Sequence, residues 1–313
     1  VSQTALIAVG GNSLIRAGEK GTIAEQLANT RRTAEAVVSI IRAGFRVVIT
    51  HGNGPQVGAS LLRSERAADQ VYTHPLDVCD ACTQGEIGYL LQQSLVTTLG
   101  EHGMRTPVAT LLTQVVVSPD DPAMRKPSKP IGPFYSAREA ETKREQLGWS
   151  VVEDAARGWR RVVPSPEPLE IVEETSIRAL IATGALVIAV GGGGIPVMRN
   201  GRGYRGVEAV IDKDRASALL ASRLGVDLFI ISTDADRVYV NYKKPDQRPI
   251  DRATADEMTR HYDEGQFPPG NMGPKIESAL RFLRAGGQEV IITSYERLPD
   301  AVRGTAGTHI TRD

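Results

Sequence analysis

Residues 186–217, LVIAVGGGGIPVMRNGRGYRGVEAVIDKDRAS, decide how the chain is read. The run Leu186–Val190 is apolar, β-branched and closed by glycine, the pattern of a parallel strand buried on both faces. Four glycines follow, Gly191–Gly194, where no side chain keeps an oxyanion from backbone N–H groups. A second apolar run, Val207–Ile211, delivers Asp212, Lys213 and Asp214 to a helical stretch, Arg215–Leu224. Backbone amides, a helix N-terminus and a lysine beside a carboxylate are independent parts of a phosphate site. A plain βα turn capped by Asp214 would also give this pattern.

Outward from this stretch the same grammar repeats. Ala5–Val9 is an apolar strand ending in Gly10-Gly11-Asn12-Ser13, and Ile23–Ala43 is helical and stopped by Gly44. Phe45–Thr50 is a second strand, ending in His51-Gly52-Asn53-Gly54-Pro55, with a helix from Val57. Strand, helix and strand in this order predict a parallel sheet. Ligands in such sheets sit outside the carboxyl ends of the strands, so the glycine turns predict a shared cleft. Further on, Gly85–Leu99 reads as helix, Pro107–Val117 as one strand, Ile171–Thr183 as helix and Leu228–Ser232 as strand. Gly265–Pro274 reads as a loop before a helix over Lys275–Ala285, and Gly304–Ile310 as a terminal strand.

Between 118 and 166 the composition changes. Pro119, Pro122, Pro127, Pro130 and Pro133 exclude regular helix and central strand. Ala137–Leu147 is a short helix, and Trp149–Val152 with Trp159–Val163 forms a hairpin across Asp154–Gly158. The segment reads as a lid-like subdomain inserted in one α/β domain spanning 1–313.

Composition narrows the function. Lys+Arg 37 against Asp+Glu 37 leaves no bulk charge to drive nucleic-acid or membrane-surface binding. No apolar run approaches the roughly 20 residues of a membrane span, and VSQTALIAVGG lacks the n-region and h-region of a signal peptide, so a cytoplasmic protein is expected. Cys79 and Cys82 have no second pair and no thioredoxin context, and His51 and His74 add no ligand spacing; two ordinary thiols are expected. The P-loop, protein-kinase, G-x-S-x-G and H-E-x-x-H motifs are all missing, and Gly201–Gly206 matches G-x-G-x-x-G only as a loop.

What remains is lysine. Of eight, Lys20, Lys126, Lys143, Lys243 and Lys244 read as solvated surface. Lys129 lies among prolines, Lys213 beside Asp214, and Lys275 after Gly273-Pro274 at a helix start. Lysines without an obvious catalytic histidine suit a reaction that needs charge neutralised more than a proton removed, and phosphoryl transfer to an anionic oxygen is one.

Beyond this residue-level reading, VIAVGGGGIPV followed by GVEAVIDKDRASALLA resembles the carbamate kinases, within the amino-acid-kinase superfamily. The resemblance runs nearly end to end, through ALIAVGGNSL, THGNGPQVG, LDVCDACTQGEIGYLL, KPSKPIGPFY, RRVVPSPEP and PPGNMGPKIESA. It implies a three-layer αβα sandwich around a mainly parallel sheet with a small inserted lid, and a homodimer. It implies reversible phosphoryl transfer between ATP and carbamate, with carbamoyl phosphate as the other substrate. By the same resemblance, Lys213 and Lys275 contact nucleotide phosphates and Asp214 orients the lysines. Gly10, Gly11, Asn12, Gly52, Asn53 and Gly54, with Gly191, Gly192 and Gly193, hold carbamate and the transferring phosphoryl group. Lys129 reaches in over the acceptor. Thr233, Asp234, Asp236, Tyr239, Met272 and Gly273 hold ADP or ATP, and Mg²⁺ binds through phosphate oxygens and water, with no ligand set of protein side chains. Ser13 stands where alanine is expected, and Arg237 where a small residue is, which bears on nucleotide preference. The competing readings are a kinase of another small acceptor, such as acetylglutamate or UMP, and a non-catalytic nucleotide sensor.

Overall fold

A computed structural model of the chain describes residues 3–11, 14–16, 18–153, 158–268 and 272–313. The first half runs β1 (Thr4–Val9), α1 (Ile23–Arg42), β2 (Arg46–His51), α2 (Gly54–Arg66), α3 (Leu76–Glu101), β3 (Val108–Thr110) and β4 (Gln114–Val116). The middle contains α4 (Pro122–Arg125), β5 (Lys129–Tyr135), α5 (Ala137–Leu147), β6 (Ser150–Glu153), β7 (Trp159–Val163) and β8 (Glu170–Ile171). Then come α6 (Glu174–Ala182), β9 (Leu186–Ile188), β10 (Ile195–Asn200), β11 (Gly203–Gly206), α7 (Lys213–Leu224), β12 (Leu228–Thr233), β13 (Val238–Val240) and β14 (Arg248–Ile250). The chain closes with β15 (Arg252–Thr254), α8 (Ala255–Asp263), α9 (Met272–Arg284), β16 (Glu289–Ser294), α10 (Leu298–Val302) and β17 (Thr308–Thr311).

The central sheet has eight strands in the order β15-β17-β16-β12-β1-β2-β9-β3. Its pairs are parallel except β16 with β17. Alternation along β1 explains the layering. Leu6 and Ala8 face a core shared with Ile177, Leu220 and Leu283 of α6, α7 and α9, while Ala5, Ile7 and Val9 face one shared with Val37, Leu91 and Leu298 of α1, α3 and α10. Every residue of β1 is buried, which is why such strands read as unbroken apolar runs. Each large apolar side chain so buried contributes about 1.5–3 kcal/mol.

Several sequence expectations change. The expected strand Pro107–Val117 is two short strands in different sheets: β3 edges the central sheet, and β4 joins a four-stranded sheet ordered β11-β10-β4-β8. The helix expected from Gly85 begins at Leu76, after Pro75, so both cysteines lie within α3. Val207–Ile211 forms no strand, whereas Gly203–Gly206, expected as loop, pairs antiparallel with β10. The helix expected from Ile171 begins at Glu174, and the one expected from Lys275 begins at Met272.

Within 118–166 the strands form a separate three-stranded antiparallel sheet, β5-β7-β6. β5 tolerates Pro130 and Pro133 because it is the edge strand of that sheet. Residues 154–157 of the expected hairpin loop lie outside the described residues. Trp149, Val151 and Ala140 make a small core there with Tyr135 and Trp159. Lys143, expected on the solvated surface, instead lies 4.4 Å over the Trp149 ring and pairs with Glu65 of α2 at 3.0 Å. Ile131 and Val163 at the base pack on Val57, Leu76 and Cys79, and Gly58 meets Gly132 so closely that a Cβ on Gly58 would lie 2.5 Å from the Gly132 Cα.

Candidate active site

The ends of β1, β2, β9 and β12 and the starts of α2, α7 and α9 converge on one region. α7 begins at Lys213, and its cap is Asp212: Oδ1 of Asp212 accepts from the backbone N–H of Asp214 at 2.9 Å and of Arg215 at 3.3 Å. The cap expected at Asp214 is therefore two residues too late. With Asp212 doing the capping, the Asp214 carboxylate is free to turn inward, where it is 4% exposed. Lys213 Nζ lies 2.8 Å from its Oδ1 and Lys275 Nζ 3.2 Å from its Oδ2.

These charges explain one another. Burial pushes the Asp214 carboxyl up, but Lys213 and Lys275 outweigh that and hold it well below the usual carboxylate range. Burial lowers the Lys213 ammonium below its ordinary value despite Asp214, while for Lys275 the Asp214 attraction overcomes burial and raises it. The Lys213–Asp214 contact is close but not aligned as a hydrogen bond, so among the described residues no hydrogen bond directs the N–H groups of the buried Nζ. A buried ammonium in that state fits an anion as its missing partner. Lys129, on β5, reaches the same place: its Nζ donates to the Ile211 carbonyl at 3.1 Å and to Asp212 Oδ2 at 3.3 Å. Lys129, Lys213, Asp214 and Lys275 are thus brought together, with Asp212 added by the structure.

The glycine turns border this cluster. A Cβ on Gly52 would stand 3.7 Å from Gly11 N and 3.7 Å from Lys213 Cδ, so Gly11, Gly52 and Lys213 are neighbours. Gly10 is held against Ser232, where a Cβ would be 2.9 Å from its carbonyl oxygen. Gly54 opens α2, and Asn12 lies outside the described residues. The 191–194 turn has packing reasons for all four glycines. A Cβ would fall 2.4 Å from His51 Nε2 at Gly191, 2.3 Å from Asn53 Nδ2 at Gly192, 2.6 Å from Ile211 O at Gly193 and 2.2 Å from Val115 Cγ2 at Gly194. The amides of Gly193 and Gly194 bond inside the turn, to Val190 and Gly191, so the expectation of N–H groups open to an anion narrows to Gly191 and Gly192.

Beside the lysines opens a cleft of about 470 Å³. Thr233, Asp234, Asp236, Tyr239 and Met272 line it as expected, and the sequence reading missed Tyr242, Gln247, Gln266, Phe267 and Pro268. Gly273 is buried behind the wall, with Pro268 O 2.9 Å from where its Cβ would be. Met272 and Lys275 share the first turn of α9, which joins cleft to cluster. Asp236 is tied down by Ser294, whose Oγ donates to it at 2.7 Å. Arg237 also lines the cleft, but its Nε lies 2.5 Å from Asp251 Oδ1, so its charge is answered within the protein.

Sequence reasoning also missed the polar layer beneath the turns. His51 is buried with Nδ1 3.0 Å from the Gly52 carbonyl, and burial, with Lys213 adding to it, lowers its imidazole to about 4. Asp80, Thr83 and Gln84 of α3 are buried beside it, Gln84 donating to Gly191 O at 2.9 Å. Cys79 is buried and Cys82 exposed, both free, and no cluster of three metal-ligating side chains exists among the described residues.

The model of the amino acid kinase family matches residues 3–294. A carbamate kinase of Thermococcus kodakarensis is 48% identical over 98% of this chain and 99% of its own length. The carbamate kinase-like protein YahI of Escherichia coli is 46% identical over the full length of both. Among solved structures, carbamate kinase from Giardia lamblia bound to AMP-PNP superposes with a TM-score of 0.94 at 43% identity, over 100% of this chain and 99% of that one. With its mainly parallel sheet and its lysine-lined strand ends, the chain belongs to the amino acid kinase family, among the carbamate kinases.

Proposed function

We propose that this chain is a kinase that moves a phosphoryl group reversibly between ATP and carbamate, giving ADP and carbamoyl phosphate. The observation that carries this reading is the Lys213–Asp214–Lys275 cluster, in which a buried carboxylate holds two ammonium groups at the mouth of a nucleotide-sized cleft. Carbamate attacks as an anion, so no base is needed. The protein's work is to align the oxygens and neutralise charge on the phosphoryl group in flight. In this reading the cleft lined by Tyr239, Tyr242 and Phe267 takes the adenine and ribose, and the lysines take the phosphates. The Gly10–Asn12, Gly52–Gly54 and Gly191–Gly193 turns take the acceptor end. Asp214 keeps both lysines charged and in place, and Lys129 closes over the transferring group.

Mg²⁺ fits as a companion of the nucleotide. The carboxylate nearest the phosphates is committed to two lysines, so phosphate oxygens and water would supply the ligands, and the ion would supply further charge neutralisation. A homodimer belongs to the same reading; exposed Ile23 and Leu27 of α1 and Tyr89 and Val96 of α3 are apolar surface it could cover. No helix among the described residues is long and apolar enough to cross a membrane, and the reading places the enzyme in the cytoplasm. Likeness over the whole chain to carbamate kinases leaves a UMP or acetylglutamate kinase and a silent sensor unfavoured. An assay coupled to ATP formation, with ADP and carbamoyl phosphate supplied, tests all of these. ATP formation is expected, and its absence with folded protein and Mg²⁺ present refutes the proposal.

A further inference from the structure

The start of α2 and the middle of α3 meet at one side chain. Asn53 occupies the N-cap position of α2 without capping it, and is 3% exposed. Its amide turns to α3 instead, and Nδ2 donates to Asp80 Oδ1 at 2.9 Å and to Thr83 Oγ1 at 2.9 Å. Both amide hydrogens are then engaged. Thr83 gives its own hydroxyl hydrogen to the Asp80 carbonyl oxygen, 2.7 Å away, so towards Asn53 its oxygen can only accept. An amide turned end for end would set oxygen against oxygen at both partners. Among the described residues the carbonyl oxygen Oδ1 is thus the side-chain polar atom of Asn53 left without a hydrogen bond, and its orientation is fixed by two residues of another helix.

That oxygen lies among the turns at the acceptor end. It is 2.9 Å from where a Cβ on Gly192 would stand, and Asn53 follows Gly52, whose own Cβ position lies 3.7 Å from Gly11 N and from Lys213 Cδ. The second oxygen of Asp80, Oδ2, is buried and accepts no hydrogen bond among the described residues. Burial holds this carboxyl well above the ordinary range, against the pull of the Asn53 hydrogen bond and of Lys129. A proton on Oδ2 leaves Oδ1 as the acceptor that Asn53 requires. The hydrogen bonds among the three side chains thus use the Asn53 amide group and leave its carbonyl oxygen unused.

We propose that Asn53 is the specificity-determining residue at the acceptor end, its carbonyl oxygen held by Asp80 and Thr83 to select a small carboxylate bearing an N–H donor. The proposal rests on the phosphotransfer reading above and states why the chain takes carbamate in preference to a carboxylate of the same shape with a methyl group. A methyl in that place leaves a desolvated carbonyl facing carbon, and sites built to bond a substrate N–H reject analogues that lack it more strongly than apolar pockets reject a change of size. Asp80 and Thr83 are positioning residues and act only through Asn53.

Carbamoyl phosphate and acetyl phosphate differ at one group, NH₂ against CH₃, and test this directly. Phosphorylation of ADP from each is measured with the full-length protein and Mg²⁺. The unmodified protein is expected to favour carbamoyl phosphate in kcat/KM by about 10² or more. Asn53→Leu keeps the forked outline and removes the carbonyl acceptor together with the amide donors. It should lower kcat/KM for carbamoyl phosphate by about that factor more than for acetyl phosphate, so that the ratio collapses. Asp80→Ala and Thr83→Val each remove one acceptor of the amide and should lower the ratio at least about tenfold. If Asp80→Ala does not fold, Thr83→Val alone decides the positioning role. A parallel fall with both substrates, the ratio intact, overturns the proposal and leaves Asn53 a packing residue. If the unmodified protein fails to use carbamoyl phosphate, the phosphotransfer reading itself falls, a result distinct from either outcome with the variants.

Discussion

Lys275 sits 3.2 Å from the Oδ2 oxygen of Asp214, sixty-one residues away in sequence, while Lys213 occupies the other oxygen of the same carboxylate at 2.8 Å. One buried anion therefore fixes the separation of two cations that belong to different helices. Removing its charge without its shape isolates that effect. Asp214→Asn should reduce turnover about 10²–10³-fold, the usual cost of losing one preorganised electrostatic partner. Steady-state rates and a thermal melt of the same preparation check it. Wild-type turnover would mean that the lysines hold their places without Asp214.

The three lysines should separate by what they bind. Lys213 and Lys275 belong to α7 and α9 of the main sheet domain, whereas Lys129 comes from β5 of the 118–166 segment. Lys213→Ala and Lys275→Ala are expected to weaken both ADP binding and turnover. Lys129→Ala should bind ADP nearly as the parent does and lose turnover, because its charge matters in the closed, water-poor complex. Calorimetric titration of ADP into the three variants, alongside rates, decides it. Equal loss of affinity in all three would place Lys129 in the nucleotide site and remove the case for a lid.

His51 predicts a pH dependence of stability. Its imidazole is lowered from 6.5 to about 4, so between those values the unfolded chain binds a proton that the folded protein refuses. The contribution is intact above 6.5 and is lost as the pH falls towards about 4. At 1.36 kcal/mol per pH unit the loss is about 3 kcal/mol. Asp80 works the other way, since a raised carboxyl favours the folded state as pH falls, and Asp214 acts below the ordinary carboxylate value. The comparison is therefore between the parent and His51→Gln in urea titrations at pH 7 and 4.5. The variant should lose markedly less stability between the two; identical slopes would mean that His51 protonates freely.

Two glycines with left-handed backbones should respond differently to a methyl group. Gly192 has φ 68 and Asn53 in the way, whereas Gly201, at the tip of the β10–β11 hairpin, has φ 59 and open space. Gly201→Ala should cost about 1 kcal/mol, the backbone penalty alone. Gly192→Ala should add about 1–3 kcal/mol for overpacking and impair turnover. Denaturant midpoints and rates for the pair measure the difference, and equal costs would contradict the packing described for the turn.

Much of the fold was legible because its central strands are buried on both faces and write themselves as apolar runs closed by glycine. α3 was not. Its first half, with Asp80, Thr83 and Gln84 on the buried face, carries no apolar period, because there the helix packs against the polar turns of the site and not against the sheet. The same residues proved to hold Asn53 and the glycine turn in place, so the signal that hid the helix was itself a sign of the site. The choice between Asp212 and Asp214 as cap was likewise beyond the sequence. Both are suitable acceptors two residues apart, and only the direction in which α7 leaves the sheet decides which carboxylate faces the lysines. Tyr242 and Gln247 of the cleft lie on the β13–β14 connection and Gln266 on that between α8 and α9, where no periodicity marks a side chain as facing inward.

The contact between Gly58 and Gly132 has a mechanical consequence. At that point two backbones touch with no side chain between them, and Gly132 stands at φ 72, so β5 has a fulcrum there beside the packed Ile131. Lys129 lies three residues along the strand, a lever arm of about 10 Å. A tilt of about 20° at this fulcrum carries its ammonium some 3 Å, roughly the length of the bonds that moor it to Ile211 and Asp212. A lid motion of the 118–166 segment would thus need only a small rotation at two glycines to draw Lys129 away from Ile211 and Asp212.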